Sequence, residues 1–151
     1  MVRFIAPQET LELRSKVLRN NLPVVDCVFP TDEVDGAFHL GCFVEGQLVS
    51  IASFFPNQYK GKSTPGYQLR GMATSTEQVG KGYGAKLIDF ALSQLNATNA
   101  TYLWCNARTS AIEFYKKKGF ELVSSEFEIE GVGPHYEMIL IIKKYEHNRP
   151  I

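Results

Sequence analysis

Three glycines fall within five positions, Gly80, Gly82 and Gly84, where an extended segment ends and a helix with a regular apolar stripe begins. The stretch Val79-Gly80-Lys81-Gly82-Tyr83-Gly84-Ala85 constrains the chain more than any other. Glycine adopts backbone conformations that other residues resist, and it leaves no side chain between the amides and an approaching ligand. A helix start adds unpaired N–H groups and the positive end of the helix dipole. A glycine-rich strand-to-helix turn is therefore a cradle for phosphate, and Lys81 supplies a mobile positive charge beside it.

The residues narrow the choice of phosphate ligand. The P-loop pattern GxxxxGK[ST] is absent. The dinucleotide pattern G-x-G-x-x-G/A is matched by Gly80, Gly82 and Ala85. That pattern should open a βαβ unit and be followed about 20 residues later by an acid. Asn99-Ala100-Thr101-Tyr102 holds none, and the turn comes halfway along the chain.

The surrounding elements set the fold class. Val2 to Ile5 reads as a strand and Gln8 to Arg19 as a helix with Leu11, Leu13, Val17 and Leu18 on its apolar face. Val24 to Asp35 is irregular. Phe38 to Val44 and Leu48 to Phe55 form a hairpin around Glu45-Gly46, and Tyr67 to Thr74 is the fourth strand. The helix after the glycine turn runs from about Gly82 to Leu95, with Leu87, Ile88, Ala91, Leu92 and Leu95 on one side. Thr101 to Cys105 is a fifth strand. A late helix opens on Ser110 and Glu113 in capping-box spacing and stops at Gly119. Phe120 to Ile129 and His135 to Lys143 are two closing strands. This order predicts one α/β domain over residues 1–151, a mixed sheet of six or seven strands. An antiparallel N-terminal meander leads into a parallel strand–helix–strand unit with flanking helices.

Composition excludes several functions. Sixteen basic residues balance sixteen acidic ones, which points to neither nucleic acid nor an anionic membrane. Cys27, Cys42 and Cys105 show no CxxC spacing, so neither a metal site nor a disulfide framework is expected. No apolar run approaches the ~20 residues of a membrane span and no signal peptide opens the chain, so the expected location is cytoplasmic.

Taken with Tyr67-Gln68-Leu69-Arg70-Gly71-Met72-Ala73-Thr74 and Asn106 through Phe120, the glycine turn resembles that of the GCN5-related N-acetyltransferases (GNAT). The family's acyl-CoA motif, [Q/R]-x-x-G-x-[G/A], falls on residues 79–84, with Val79 in place of the leading Gln or Arg. Ala111-Ile112-Glu113-Phe114-Tyr115, ending at Gly119-Phe120, resembles the family's late helix.

The resemblance implies transfer of an acetyl group from acetyl-CoA to a primary amine by direct attack in a ternary complex. It implies a bulge near Gly71 that parts the fourth strand from the fifth, with the backbone of Met72, Ala73 and Thr74 toward the pantetheine and thioester. It places Tyr115 as general acid toward the departing thiolate, with Asn106 and Ser110 along the cofactor arm. The amine must lose a proton, and His135, whose imidazole can accept one, is the first candidate base. Arg70 and Glu137 are candidate contacts for the acceptor. The acceptor itself stays open among small amines, amino acids, polyamines, antibiotics and peptides, and so does monomer or homodimer. Two readings from other classes stand beside this one: a non-catalytic acyl-CoA-binding domain, and a nucleotide-dependent oxidoreductase that would bind NAD.

Overall fold

Strands β1 (Val2–Ile5), β2 (Phe38–Val44), β3 (Gln47–Pro56) and β4 (Gly66–Thr74) pair antiparallel in chain order. Helix α2 (Tyr83–Asn96) then returns the chain to β5 (Tyr102–Arg108), which runs parallel to β4. After α3 (Ile112–Lys117), β6 (Glu121–Leu122) and β7 (Phe127–Ile129) lie successively along β8 (Gly133–Ile141), whose other edge joins β5. The result is one mixed sheet, as expected from the alternation of elements, but of eight strands rather than six or seven, in the order β1-β2-β3-β4-β5-β8-β6 with β7 also on β8. The coordinates are a computed structural model and describe residues 1–142. Lys143, the expected end of the last strand, lies outside them.

The main core fills one face. Leu87, Ile88, Ala91 and Leu95 of α2 are fully buried against Leu40, Cys42, Phe54 and Leu69 of the sheet. Tyr115 and Phe120 close the same layer from the α3 side. All three cysteines are buried and free. No described helix is long and apolar enough to cross a membrane.

Four local expectations change. The first helix, α1 (residues 7–18), is composite: a 3-10 turn (Pro7–Thr10), one α turn (Leu11–Leu13) and a π turn (Arg14–Leu18). β5 extends beyond Cys105 to Arg108 because β8 pairs with it as far as Arg108↔His135. The segment from Phe120 to Ile129 is interrupted rather than continuous. Between β6 and β7, the Ser124 hydroxyl accepts the Glu137 N–H at 2.8 Å, replacing a ladder partner. Ser110 does not cap α3. It lies inside a 3-10 turn (Thr109–Ala111), and no side chain caps the helix that follows.

Candidate active site

The site begins where two parallel strands part. β4 and β5 stay in register from Gly66↔Tyr102 to Leu69↔Cys105 and no further. β4 nevertheless runs on to Thr74 against β3, and β5 to Arg108 against β8. The cause is a bulge. Opposite β3 the register jumps from Ser53↔Arg70 to Ile51↔Ala73, so Gly71 and Met72 together face Ala52. Gly71 takes φ +64°, a left-handed conformation that costs other residues free energy. A Cβ there would also stand 3.1 Å from the Phe29 ring. Gly71→Ala should lower the unfolding free energy by about 1–3 kcal/mol, read from the urea midpoint.

Between the parted strands lies a cavity of about 890 Å³. Arg70, Met72, Ala73 and Thr74 line it from β4, and Asn106 and Arg108 from β5. Val79, Gly80, Gly82, Tyr83, Gly84 and Ala85 line it from the glycine turn. Ser110, Tyr115 and His135 also reach it. The structure thus gathers fourteen of the sixteen residues singled out from the sequence. Two stand apart. Lys81 donates to Gln78 Oε1 at 3.1 Å on the exposed side of the turn. Glu137 accepts the Tyr59 hydroxyl at 2.6 Å and lies 3.5 Å from Lys60 Nζ, away from the cavity.

The turn has the geometry of an anion cradle. Gly80 and Gly82 both take φ +84°, and nothing stands within 4 Å of a Cβ built on either. They are there for conformation, not for want of space. Gly82 occupies the N-cap position of α2, and no side chain satisfies the first-turn amides. Those amides keep the unpaired N–H groups and partial positive charge of a helix start.

Tyr115 owes its position to the end of α3. Phe120 N–H donates to Tyr115 O and Gly119 N–H to Lys116 O, each at 3.0 Å, with Gly119 at φ +100°. These are the two bonds of a Schellman stop, and the Phe120 ring packs edge-on against Tyr115 at 5.2 Å. Phe114 packs the other side at 5.1 Å. The phenol hydroxyl is left facing the Met72 sulfur at 4.0 Å. Burial, and secondarily the neighbouring Cys105, push this phenol well above its ordinary pKa. It is a fully protonated hydroxyl at any working pH.

His135 is 4% exposed, opposite Arg108 in the sheet. Its Nδ1 lies 2.8 Å from the Gly133 carbonyl, which can only accept, so Nδ1 carries a proton. In the neutral ring the free lone pair is then on Nε2.

Several lining residues gave no signal in the sequence. Arg14, Arg19 and Phe29 form a wall beside Arg70, and Ile129 and Val132 stand near His135 on the hairpin side. Arg14 lies on α1 between the apolar residues that mark the helix, and only its contacts identify it. Its guanidinium is fully buried, bidentate to Asp32 at 2.7 and 2.8 Å, and stacked 3.7 Å over Phe29. Among the described residues, no group of three or more His, Cys, Asp or Glu side chains is placed to hold a metal ion.

A family model described as "Acetyltransferase (GNAT) domain" matches residues 31–142. YitI, an uncharacterized N-acetyltransferase of Bacillus subtilis (strain 168), is 36% identical over 138 residues, 91% of this chain and 93% of the relative. An acyl-CoA N-acyltransferase from Pseudomonas aeruginosa superposes with a TM-score of 0.72 at 22% identity, covering 93% of this chain and 97% of that one. An aminoglycoside 6'-N-acetyltransferase complexed with coenzyme A gives a TM-score of 0.69 at 13% identity, covering 100% of this chain and 99% of that one. At such identities the two structures speak to the fold alone.

Proposed function

The chain belongs to the GNAT acetyltransferase family, and from that premise we propose that it moves an acetyl group from acetyl-CoA to a primary amine by direct attack in a ternary complex. The observation that carries this is the gap between β4 and β5, which leads from the uncapped start of α2 to the Tyr115 hydroxyl. A pantetheine arm fits such a gap as an added strand would, bonding the backbone of Met72 and Thr74. The first-turn amides of α2 take the pyrophosphate, as helix starts take anions. A backbone N–H at Met72 or Ala73 polarises the thioester carbonyl. Asn106 and Ser110 line the path of the cofactor arm. The aminoglycoside acetyltransferase that shares this fold is described with coenzyme A bound, which supports the choice of cofactor.

The transfer balances with groups already at the cavity. A neutral amine attacks the thioester carbonyl, a C–N bond forms and the C–S bond breaks. The departing sulfur takes the Tyr115 proton. The proton lost by nitrogen passes to His135 Nε2, directly or through water, and solvent restores both groups.

Calorimetric titration with acetyl-CoA, with NAD as control, tests the reading. Acetyl-CoA should bind and NAD should not. Gly82→Asp should weaken acetyl-CoA about 100-fold or more, because a carboxylate then faces the phosphates. Asp tolerates a left-handed backbone and has open space there, so the variant should fold. Failure of both acetyl-CoA and CoA to bind the folded protein would sink the proposal. Binding without turnover of any amine would favour a non-catalytic acyl-CoA-binding domain.

A further inference from the structure

The acceptor side of the cavity holds more positive charge than the protein neutralises. Arg14, Arg19, Arg70 and Arg108 line the cavity, whereas no Asp or Glu does. Arg14 is answered by Asp32, which is fully engaged with it and with the Phe29 N–H at 2.9 Å. Among the described residues, Arg19, Arg70 and Arg108 have no carboxylate within 4.0 Å. Arg70 is the best placed of the three. It precedes the Gly71 bulge, on the far side of that bulge from the glycine turn, and its guanidinium lies 4.5 Å over the same Phe29 ring that Arg14 covers. Arg70 is solvent-exposed at the cavity mouth, and partial desolvation, with the like charge of Arg14, holds its guanidinium below its ordinary pKa against the opposing pull of Asp32.

A guanidinium is a rigid fork that matches a carboxylate with two parallel hydrogen bonds. Fixing one on an aromatic face without an anion orients that fork at little further entropic cost. Val17 and Leu18 from α1, and Ile129 and Val132 from the hairpin side, add an apolar lining to the cavity. We propose that the acceptor is a carboxylate-bearing amine with an apolar body, of the amino-acid class, and that Arg70 receives its carboxylate while Arg19 and Arg108 add to the attracting field. This rests on the acyltransferase reading for the amine, but the anion site can be tested separately. The same charges disfavour polyamines and aminoglycosides, which arrive with several positive charges of their own.

The probes are N-acetyl-L-phenylalanine and N-acetyl-L-leucine, which mimic the product, and their carboxamides, titrated into the protein with and without CoA. The acids should bind about 10- to 100-fold more tightly than the amides, the range of a charge-assisted bidentate contact. Arg70→Gln should remove that difference, Arg70→Lys should restore part of it, and both should keep the affinity for acetyl-CoA. In turnover, L-phenylalanine and L-leucine should exceed their amides, spermidine and kanamycin in kcat/KM, and Arg70→Gln should act through KM. Equal binding of acid and amide, binding by neither, preference for spermidine, kanamycin or phosphoethanolamine, or loss of acetyl-CoA affinity in Arg70→Gln would each overturn the assignment. If acetyl-CoA fails to bind while the acids bind through Arg70, the transferase reading falls and the carboxylate site stands.

Discussion

Asp32→Asn should lower the unfolding free energy by about 3–5 kcal/mol, the cost of leaving one member of a buried ion pair alone. The substitution is nearly isosteric, so the loss reports charge and hydrogen bonding rather than a cavity. Asp32 is 5% exposed and Arg14 is 0% exposed. Around them the four terminal N–H groups of Arg14 all have acceptors, while its Nε is buried without one. Arg14 gives two bonds to Asp32, one to the Cys27 carbonyl at 3.1 Å and one to the Ser53 hydroxyl at 3.0 Å. Ser53 in turn meets His39 Nδ1 at 2.7 Å, and His39 Nε2 meets the Asp32 carbonyl at 2.9 Å. A carbonyl only accepts, so Nε2 carries the proton and Nδ1 receives the Ser53 hydroxyl hydrogen. The histidine is neutral by construction. Relative to a total of about 5–15 kcal/mol, the predicted loss is large, and the thermal midpoint should drop by roughly 10 °C.

The same network gives stability an acid limit with a definite sign. Burial holds His39 below its ordinary 6.5, helped by the charge of Arg14. The unfolded ring therefore binds its proton first, and stability declines as pH falls below about 6.5. Burial alone would raise the Asp32 carboxyl, but its bonds from Arg14 and the Phe29 N–H outweigh this and hold it below 3.8. Its contribution is complete above the unfolded value of 3.8 and is lost as pH falls through the folded one. The urea midpoint measured at pH 7.5, 5.5 and 3.5 should fall at each step. In Asp32→Asn the midpoint should lose the part of that fall that comes from the carboxyl titration below 3.8. A wild-type midpoint that stays flat down to pH 4 would contradict the neutral histidine.

How much of this was written in the sequence differs between the two sides of the site. The glycine turn and the parted strands were legible because their devices are local. Glycines at positive φ, an amphipathic stripe after them and a strand broken by Gly71 all act over a few neighbouring residues. Each leaves a mark in spacing. The wall around Arg14, Phe29 and Arg70 was not legible, because its parts meet only in three dimensions. Arg14 and Asp32 are separated by an irregular segment and a π turn, neither of which has a periodic signature. An arginine among the Glu, Ser and Lys residues of an amphipathic helix reads as one more solvated side chain until its partner is seen. The capping box at Ser110 and Glu113 had the right spacing but the wrong register, because a 3-10 turn intervenes. Glu137 alternates correctly with His135 along β8, yet Tyr59 and Lys60 from a distant loop claim its carboxylate.

Tyr115→Phe should reduce kcat by about 10²–10⁴-fold, the usual contribution of a positioned acid, while leaving acetyl-CoA affinity and the melting temperature near their wild-type values. The substitution removes one oxygen whose hydrogen-bond partner among the described residues is the Met72 sulfur at 4.0 Å, and the ring still packs against Phe114 and Phe120. A raised phenol pKa looks at first like a handicap in a proton donor. It is matched by the fate of the leaving group. Sulfur released beside the phenol, near Met72 and Phe114, would be partly desolvated as well, and burial raises a thiol just as it raises a phenol. Cys105, in the same core cluster as Tyr115, shows the direction of that effect, its thiol being pushed up by burial. In the proposed transfer donor and acceptor would thus shift in the same direction, which lessens the mismatch between them. A direct test follows from this matching. With propionyl-CoA and acetyl-CoA alike, the Tyr115→Phe defect should lie in kcat and should shrink as pH falls and solvent protons replace the missing acid. An unchanged kcat would reduce Tyr115 to the packing aromatic that the Schellman stop would hold in any case.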